Sequence, residues 1–380
     1  MTAVEQAICS LISHSIFGSP LDLPADFDWD DVLKEAEQQT IVGIVAYALP
    51  EGVKPQWKYE YYQNAMHHVQ ILHAQSQLIA MINEAGIPLA ILKGAAAAIY
   101  YPEPSLRSMG DIDFLVPQDR FHETYELMVN NGYVVTCKED GENARHIGLS
   151  KNGIAFELHH HFSYFDFDLE EYLTDGIQHT EIASIGQFSF PMLPPLENGM
   201  VLLAHMRTHL KSGLGLRQVV DWMVYVDKVL DDEFWMLEFK EVVEKAGLKT
   251  FAITTTRMCQ MYLGLSEKIT WCREADEELA TRLLDNLFLS GNFGRKQGTG
   301  GHVEKVGTAI KRLGFFRYLQ IAGEKNWKAY KKHRWLKPLC WLYQIGRYIK
   351  QAIKSRRGKE VIHDLKRSDD RHELLKDLGI

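Results

Sequence analysis

The chain is poor in cysteine, and the little it has is arranged for no cross-link. Cys9, Cys137, Cys259, Cys272 and Cys340 are odd in number, scattered, and never spaced as C-x-x-C. Neither a disulfide framework nor a zinc site is expected, and a reducing cytoplasm suits them. Long apolar runs are missing too. Stretches such as Ile41 to Leu49 and Ile87 to Leu92 fall far short of the ~20 residues that a bilayer crossing needs, so no transmembrane span is predicted. No Lys or Arg precedes Lys34, and a secretory signal peptide, which opens on a basic stretch, is therefore not expected. Also absent are the G-x-x-x-x-G-K-[ST] phosphate loop, the G-x-S-x-G elbow and the H-R-D set of kinases. What is present is an ordinary globular composition, 46% hydrophobic and 24% charged over 380 residues, with enough chain for two or three packed units.

Charge is unevenly placed. Between Arg295 and Lys359 there are 18 Lys or Arg and two acids, Glu304 and Glu324, while the other residues carry 24 basic and 48 acidic side chains. Such a tail is expected to meet something anionic: nucleic acid, an acidic membrane face, or the acidic body of the same chain. It interleaves Phe315, Phe316, Tyr318, Trp327, Tyr330, Trp335, Trp341, Tyr343 and Tyr348 with its cations, a mixture suited to single-stranded nucleic acid, to a membrane surface, or to helices packed through their aromatics. The expected location is cytoplasmic, with peripheral attachment at a membrane as an option.

Periodicity divides the chain into four. Residues 1–82 read as an N-terminal helical region, with apolar positions recurring at three and four and turn-rich breaks at Gly18 to Pro24 and Pro50 to Pro55. Residues 83–190 change to short β-type runs: Pro88 to Leu92, Ile112 to Val116, Tyr133 to Cys137, His146 to Leu149, Ile154 to Phe162 and Gln187 to Phe190. An alanine-rich helix is predicted from Gly94 to about Tyr101, and an amphipathic one over Gln118 to Asn130, with Phe121, Tyr125, Met128 and Val129 inward and Gly132 at its end. Residues 191–290 return to helical spacing, interrupted at Ser212-Gly213 and Asp231-Asp232 and stopped at Gly264. Residues 291–380 form the basic, aromatic helical tail, entered through a linker-like glycine cluster from Gly291 to Gly301.

The chemistry concentrates in Ser108-Met109-Gly110-Asp111-Ile112-Asp113-Phe114-Leu115-Val116. Alternation along a strand puts Asp111 and Asp113 on one face and Ile112, Phe114 and Val116 on the other. Two adjacent carboxylates repel unless a cation lies between them, and oxygen ligands favour Mg²⁺ with its waters and substrate phosphates. In Ile154-Ala155-Phe156-Glu157-Leu158-His159, Glu157 and His159 share a face, so a neighbouring strand would add a third acid for one or two ions. Glu157 could instead orient or deprotonate an attacking hydroxyl. Upstream, Ile91-Leu92-Lys93-Gly94-Ala95-Ala96 reads as strand, glycine turn and helix, where backbone amides and the Lys93 ammonium can approach a phosphate.

The succession LKGAAAAIYY, SLRSMGDIDFLV and FELHHHF resembles the DNA polymerase β-like nucleotidyltransferase superfamily, and within it an uncharacterised bacterial nucleotidyltransferase family. The resemblance spans roughly residues 60 to 230, with an echo at Trp335 to Trp341. It implies an α+β (α/β) fold: a polymerase β-like core with a mixed sheet, flanked by helical regions on both sides. It implies a Mg²⁺-dependent enzyme, with two ions possible, that moves an NMP from an NTP such as ATP to an acceptor hydroxyl or phosphate. Gly94 and Ala95 would lie at the phosphates, Asp111 and Asp113 at the metal, and Glu157 would be the third acid. Where the superfamily has Gly-Ser or Gly-Gly, this chain has Gly-Ala and sixteen residues between Gly94 and Asp111. Ala95 offers no hydroxyl, so the grip on the γ-phosphate must come from amides, Lys93 or Arg107. The alternative is a catalytically inactive member acting as an interaction or membrane-surface adaptor.

Other residues have two readings each. Arg107 could reach a phosphate or pair with Asp111 or Asp113, and Lys93 could hold phosphate or reach out from a strand end. His159 is placed to touch substrate, whereas His160 points away from it, so the run His159 to His161 cannot converge on one metal without a bend. His205 and His209, at i and i+4 without the glutamate of H-E-x-x-H, read as core or interface histidines. Arg217 and Asp221 stand in the weaker order for a local helix pair, so each is expected to serve a tertiary partner near a nucleotide cleft.

Overall fold

The computed structural model of the chain describes residues 1–49, 52, 55–138, 146–161, 169, 176–210, 213–297, 314–355 and 370–380. These form two compact units, Met1–Phe293 with Gly379–Ile380, and Gly294–Leu378.

The first unit opens with four helices. Thr2 and Glu5 close a capping box on α1 (Ala3–Phe17), and Gly18 ends it in the left-handed conformation. Asp28 caps α2 (Trp29–Gln39), and α3 (Val42–Tyr47) and α4 (Pro55–Glu84) follow. The break after α1 lies where the turn residues placed it; of the second break, residues 50, 51, 53 and 54 lie outside the described residues.

A seven-stranded mixed sheet comes next, in the order β3-β4-β5-β2-β1-β7-β6. Its strands are β1 (Ala90–Leu92), β2 (Asp111–Leu115), β3 (Val134–Lys138), β4 (His146–Lys151), β5 (Ile154–His159), β6 (Glu181–Ile185) and β7 (Phe188–Met192). At the centre β2 runs parallel to β5 and antiparallel to β1. Ile112, Phe114, Phe156 and Leu158 are buried, so the apolar alternation anchors β2 and β5 and fixes which face carries the acids. The helix after β1 is shorter than its alanines suggest: α5 covers Gly94–Ala98 alone. The next helix, α6 (Phe121–Asn130), turns Thr124 and Met128 inward and leaves Val129 exposed.

Helices resume with α7 (Pro195–Leu210) and α8 (Leu216–Lys228). Beyond a helical stretch with a π-helical middle, over Asp232–Phe234, Trp235–Phe239 and Lys240–Lys245, α9 (Lys249–Leu263) stops at left-handed Gly264, and α10 (Glu277–Ser290) follows. Trp222, Tyr225, Phe239 and Phe251 fill the core of this helical part.

The second unit holds α11 (Phe315–Asn326), α12 (Lys328–Lys332) and α13 (Cys340–Ser355). Gly323 of α11 lies directly against the Cys340 backbone, and Trp327 stacks on Tyr343 with centroids 5.0 Å apart. The glycine cluster is described only as far as residue 297. Among the described residues no helix is long and apolar enough to cross a membrane.

Candidate active site

The register of β2 on β5 sets Asp113 beside Glu157, and that of β1 on β2 sets Leu92 opposite Asp113. Three consecutive sheet neighbours therefore deliver their polar residues to one place. Lys93, the residue after β1, reaches Asp113 Oδ1 with Nζ at 2.5 Å. His159 Nε2 lies 3.0 Å from the same oxygen and 3.4 Å from Glu157 Oε2. Lys93, Asp113 and His159 are buried, while the Glu157 side chain is 34% exposed.

These residues line a cavity of about 200 Å³ together with Gly94, Arg107, Asp111 and Arg217. Its far wall comes from α7 and the end of α10's connection: His205, Thr208, His209 and Phe293. Small-molecule pockets commonly hold ~300–1,000 Å³, so the cavity suits the reacting end of a larger ligand.

Electrostatics within the cavity are strongly coupled. Burial opposes the Lys93 ammonium, but Asp113, Glu157 and Asp111 outweigh it and raise its pKa. The charge of Asp113, and then burial, raise the pKa of Asp111. Glu157 is held down to about 2, first by its hydrogen bond from His159 and against burial. His159 is likewise raised, burial being overcome by Asp113 and Glu157. Across the cavity, His205 and His209 face each other with Nε2 atoms 2.8 Å apart. Burial, then the nearby Lys93 charge, lower both, His209 to about 4. Both are therefore held toward the neutral form.

The arginines answer a question left open by the sequence. Arg107 pairs with neither Asp111 nor Asp113. It donates from Nε and Nη2 to the two oxygens of Asp221, each at 2.8 Å, and Tyr101 OH donates to Asp221 Oδ1 at 2.8 Å. The reason is geometric: α8 packs its Asp221 carboxylate against the turn that leads into β2, where a planar guanidinium fits a carboxylate side-on. Arg217, one turn earlier on α8, donates from Nη1 to the Ser108 carbonyl at 3.2 Å and lines the cavity. Burial and Arg107 lower its pKa. Ala95 is fully buried and does not line the cavity; Gly94 does.

Sequence reasoning grouped Asp111, Asp113 and Glu157. In the fold Asp113 and Glu157 also come together with His159, the ligand atoms of the three all lying within 4.8 Å of one another. Two carboxylates and an imidazole at that spacing fit one divalent cation. The same-face relation of Glu157 and His159 was the signal for it. The wall of His205, Thr208 and His209 was missed as part of the site, because i, i+4 spacing shows that two residues share a helix face and not what that face looks at.

Among curated proteins none matches the chain. A model of an uncharacterised nucleotidyltransferase family matches residues 25–264, which include every cavity residue named above except Phe293. The carboxylates, the cations facing them and this match agree: the chain belongs to that nucleotidyltransferase family and is an enzyme that transfers phosphorus-containing groups.

Proposed function

We propose that the enzyme moves a nucleoside monophosphate from an NTP to an acceptor hydroxyl or phosphate in a Mg²⁺-dependent reaction that releases pyrophosphate. The acceptor oxygen forms a bond to the α-phosphorus, the bond from that phosphorus to the bridging oxygen breaks, and the acceptor proton passes to solvent or a carboxylate. Asp111, Asp113 and Glu157 would hold the metal, which when bound neutralises the charge gathering on the phosphates. Lys93 and Arg217 face the same cavity and suit the β and γ phosphates, because α5, five residues long, offers little dipole of its own. A Glu157 carboxyl held near 2 is a weak proton acceptor, which favours its role as a ligand over that of a base. His159 Nε2 lies within reach of both carboxylates. The observation that carries the reading is the register that puts Asp113 beside Glu157 with the Lys93 ammonium between strands.

The test is Mg²⁺-dependent transfer of label from each of four α-labelled NTPs into fractionated cell extract. Label is expected with wild type and lost with Asp113→Asn, which should stay folded. The labelled fraction identifies the acceptor as RNA, protein, lipid or small molecule. Wild-type turnover by Asp113→Asn would sink the assignment, and no label with any NTP would favour an inactive adaptor.

For the second unit, we infer binding to an anionic lipid surface. Phe316 is 67% exposed, Trp335 74% and Leu342 48%, and residues 314–355 carry ten Lys or Arg against the single acid Glu324. Exposed apolar residues beside cations suit a headgroup boundary. Base stacking is less well served, since Trp327 stacks on Tyr343 and Phe316 meets Trp341 edge to face. The full chain should sediment with phosphatidylglycerol vesicles, weakly with phosphatidylcholine, and less after Trp335→Ala. Capture of an RNA oligomer without vesicle binding would overturn this.

A further inference from the structure

The two candidate cation positions in the cleft differ in chemistry. Asp111 and Asp113 offer only oxygen. One step along the sheet, Asp113 and Glu157 are joined by a ring nitrogen, because His159 follows Glu157 by two residues on β5 and so returns to the same face. His159 is 2% exposed, and its Nε2 is aimed at both carboxylates at 3.0 and 3.4 Å. Asp111 is not part of that set.

We propose that His159 is a nitrogen ligand and that the position formed by Asp113, Glu157 and His159 selects a first-row transition ion, such as Mn²⁺, over Mg²⁺. Mg²⁺ demands a near-ideal octahedron of oxygens and gives up its waters reluctantly. An imidazole donor gains affinity along the series that begins with Mn²⁺, and carboxylates remain acceptable to that ion. The all-oxygen position of Asp111 and Asp113 then remains for the Mg²⁺ that accompanies a triphosphate. Asp113 serves both. The inference rests on the cleft being the nucleotidyl-transfer site described above, and it adds which metal occupies which part of it.

Mn²⁺ alone, titrated into the full chain and followed by electron paramagnetic resonance, tests the idea without turnover. Pulsed measurements on the wild type should detect coupling to an imidazole ¹⁴N, which changes to the ¹⁵N pattern when the protein is grown on ¹⁵N-histidine. His159→Ala should abolish the coupling and weaken Mn²⁺ at least tenfold, while Mg²⁺ binding by calorimetry changes less than twofold. Circular dichroism checks that the variant is folded, and the wild-type coupling stands as evidence even if it is not. Bound Mn²⁺ with no nitrogen coupling, or equal losses for the two metals, would overturn the proposal. Label transfer distinguishes the failures: transfer without nitrogen coupling leaves the function and removes the ligand. Nitrogen coupling without transfer does the reverse.

Discussion

Replacing Asp221 by Asn keeps its shape and removes its charge. In the fold its carboxylate accepts three hydrogen bonds, two from Arg107 and one from Tyr101, all at 2.8 Å. The Arg107 and Asp221 side chains are each 2% exposed, so the buried guanidinium left behind would lose its paired counter-charge, with Arg217 adding like charge beside it. Breaking a buried pair from one side costs about 3–5 kcal/mol, whereas replacing both members with apolar groups of similar size is often near neutral. Arg107→Met with Asp221→Leu should therefore recover most of the loss, apart from about 1 kcal/mol for the orphaned Tyr101 hydroxyl. Urea unfolding of the full chain reads this directly: with a slope of about 3 kcal/mol/M, Asp221→Asn should lower the midpoint by roughly 1–1.7 M. The same series separates the two readings of Arg107. A phosphate ligand would give Arg107→Met a raised KM for NTP at unchanged stability. An Asp221→Asn midpoint equal to wild type, or a double variant no better than the worse single one, would refute the buried-pair reasoning.

Three further outcomes are expected. Burial on α4, before any other cause, lowers the pKa of His68 from 6.5 to about 4; the unfolded chain takes up its proton first, so stability is full above pH 6.5 and falls by about 3 kcal/mol as pH drops to 4. His68→Leu should flatten that acid limb in denaturation curves, and an unchanged limb would count against it. In the second unit, a Cβ on Gly323 would collide with the Cys340 carbonyl; Gly323→Ala should cost about 1–3 kcal/mol and raise hydrogen exchange in α11 and α13, an effect that unaltered protection would exclude. Lys93 has φ 49° and ψ −120°, a backbone conformation that favours glycine, so Lys93→Gly should be more stable than Lys93→Ala by about 1 kcal/mol, the reverse of the usual order. Thermal melting decides it, and both should lose activity together.

The parts of the site that were legible are those written in strand alternation. Asp111 with Asp113, and Glu157 with His159, follow from period two, and the apolar residues between them say which side is core. The Lys93-Gly94 turn follows from its glycine. Pairing order was not legible, since β1 lies between β2 and β7, strands far apart in the chain. β6, reading Glu-Ile-Ala-Ser-Ile, escaped notice because it is a largely exposed edge strand with little apolar signal. Val129 was expected inward and is 40% exposed, while Thr124 took an inward position; helical spacing tolerates a rotation of the buried stripe that packing alone decides. The partner of Arg107 lies 114 residues away, beyond the reach of any local rule.

Several violations of local preference in this fold are informative, because they converge. Lys93 occupies a glycine-type backbone conformation and buries an ammonium. Asp111 and Asp113 hold two like charges on one strand face, at the cost of a raised pKa for Asp111. Arg107 and Arg217 place two guanidinium groups close enough for one to lower the pKa of the other. Each departure costs stability on its own, and chance would scatter such departures over the chain. The five residues just named instead line one cavity: Lys93 follows β1, Arg107 precedes β2, Asp111 and Asp113 lie on β2, and Arg217 lies on α8. Strain and buried charge persist where surrounding structure holds them for a purpose. A cleft whose acids and cations already face one another is organised before any ligand arrives, and under the proposed function metal and polyphosphate would replace contacts that the protein makes with itself. On that view Lys93 keeps its strained backbone because its ammonium must stand between Asp113 and the incoming phosphates, a task glycine cannot perform.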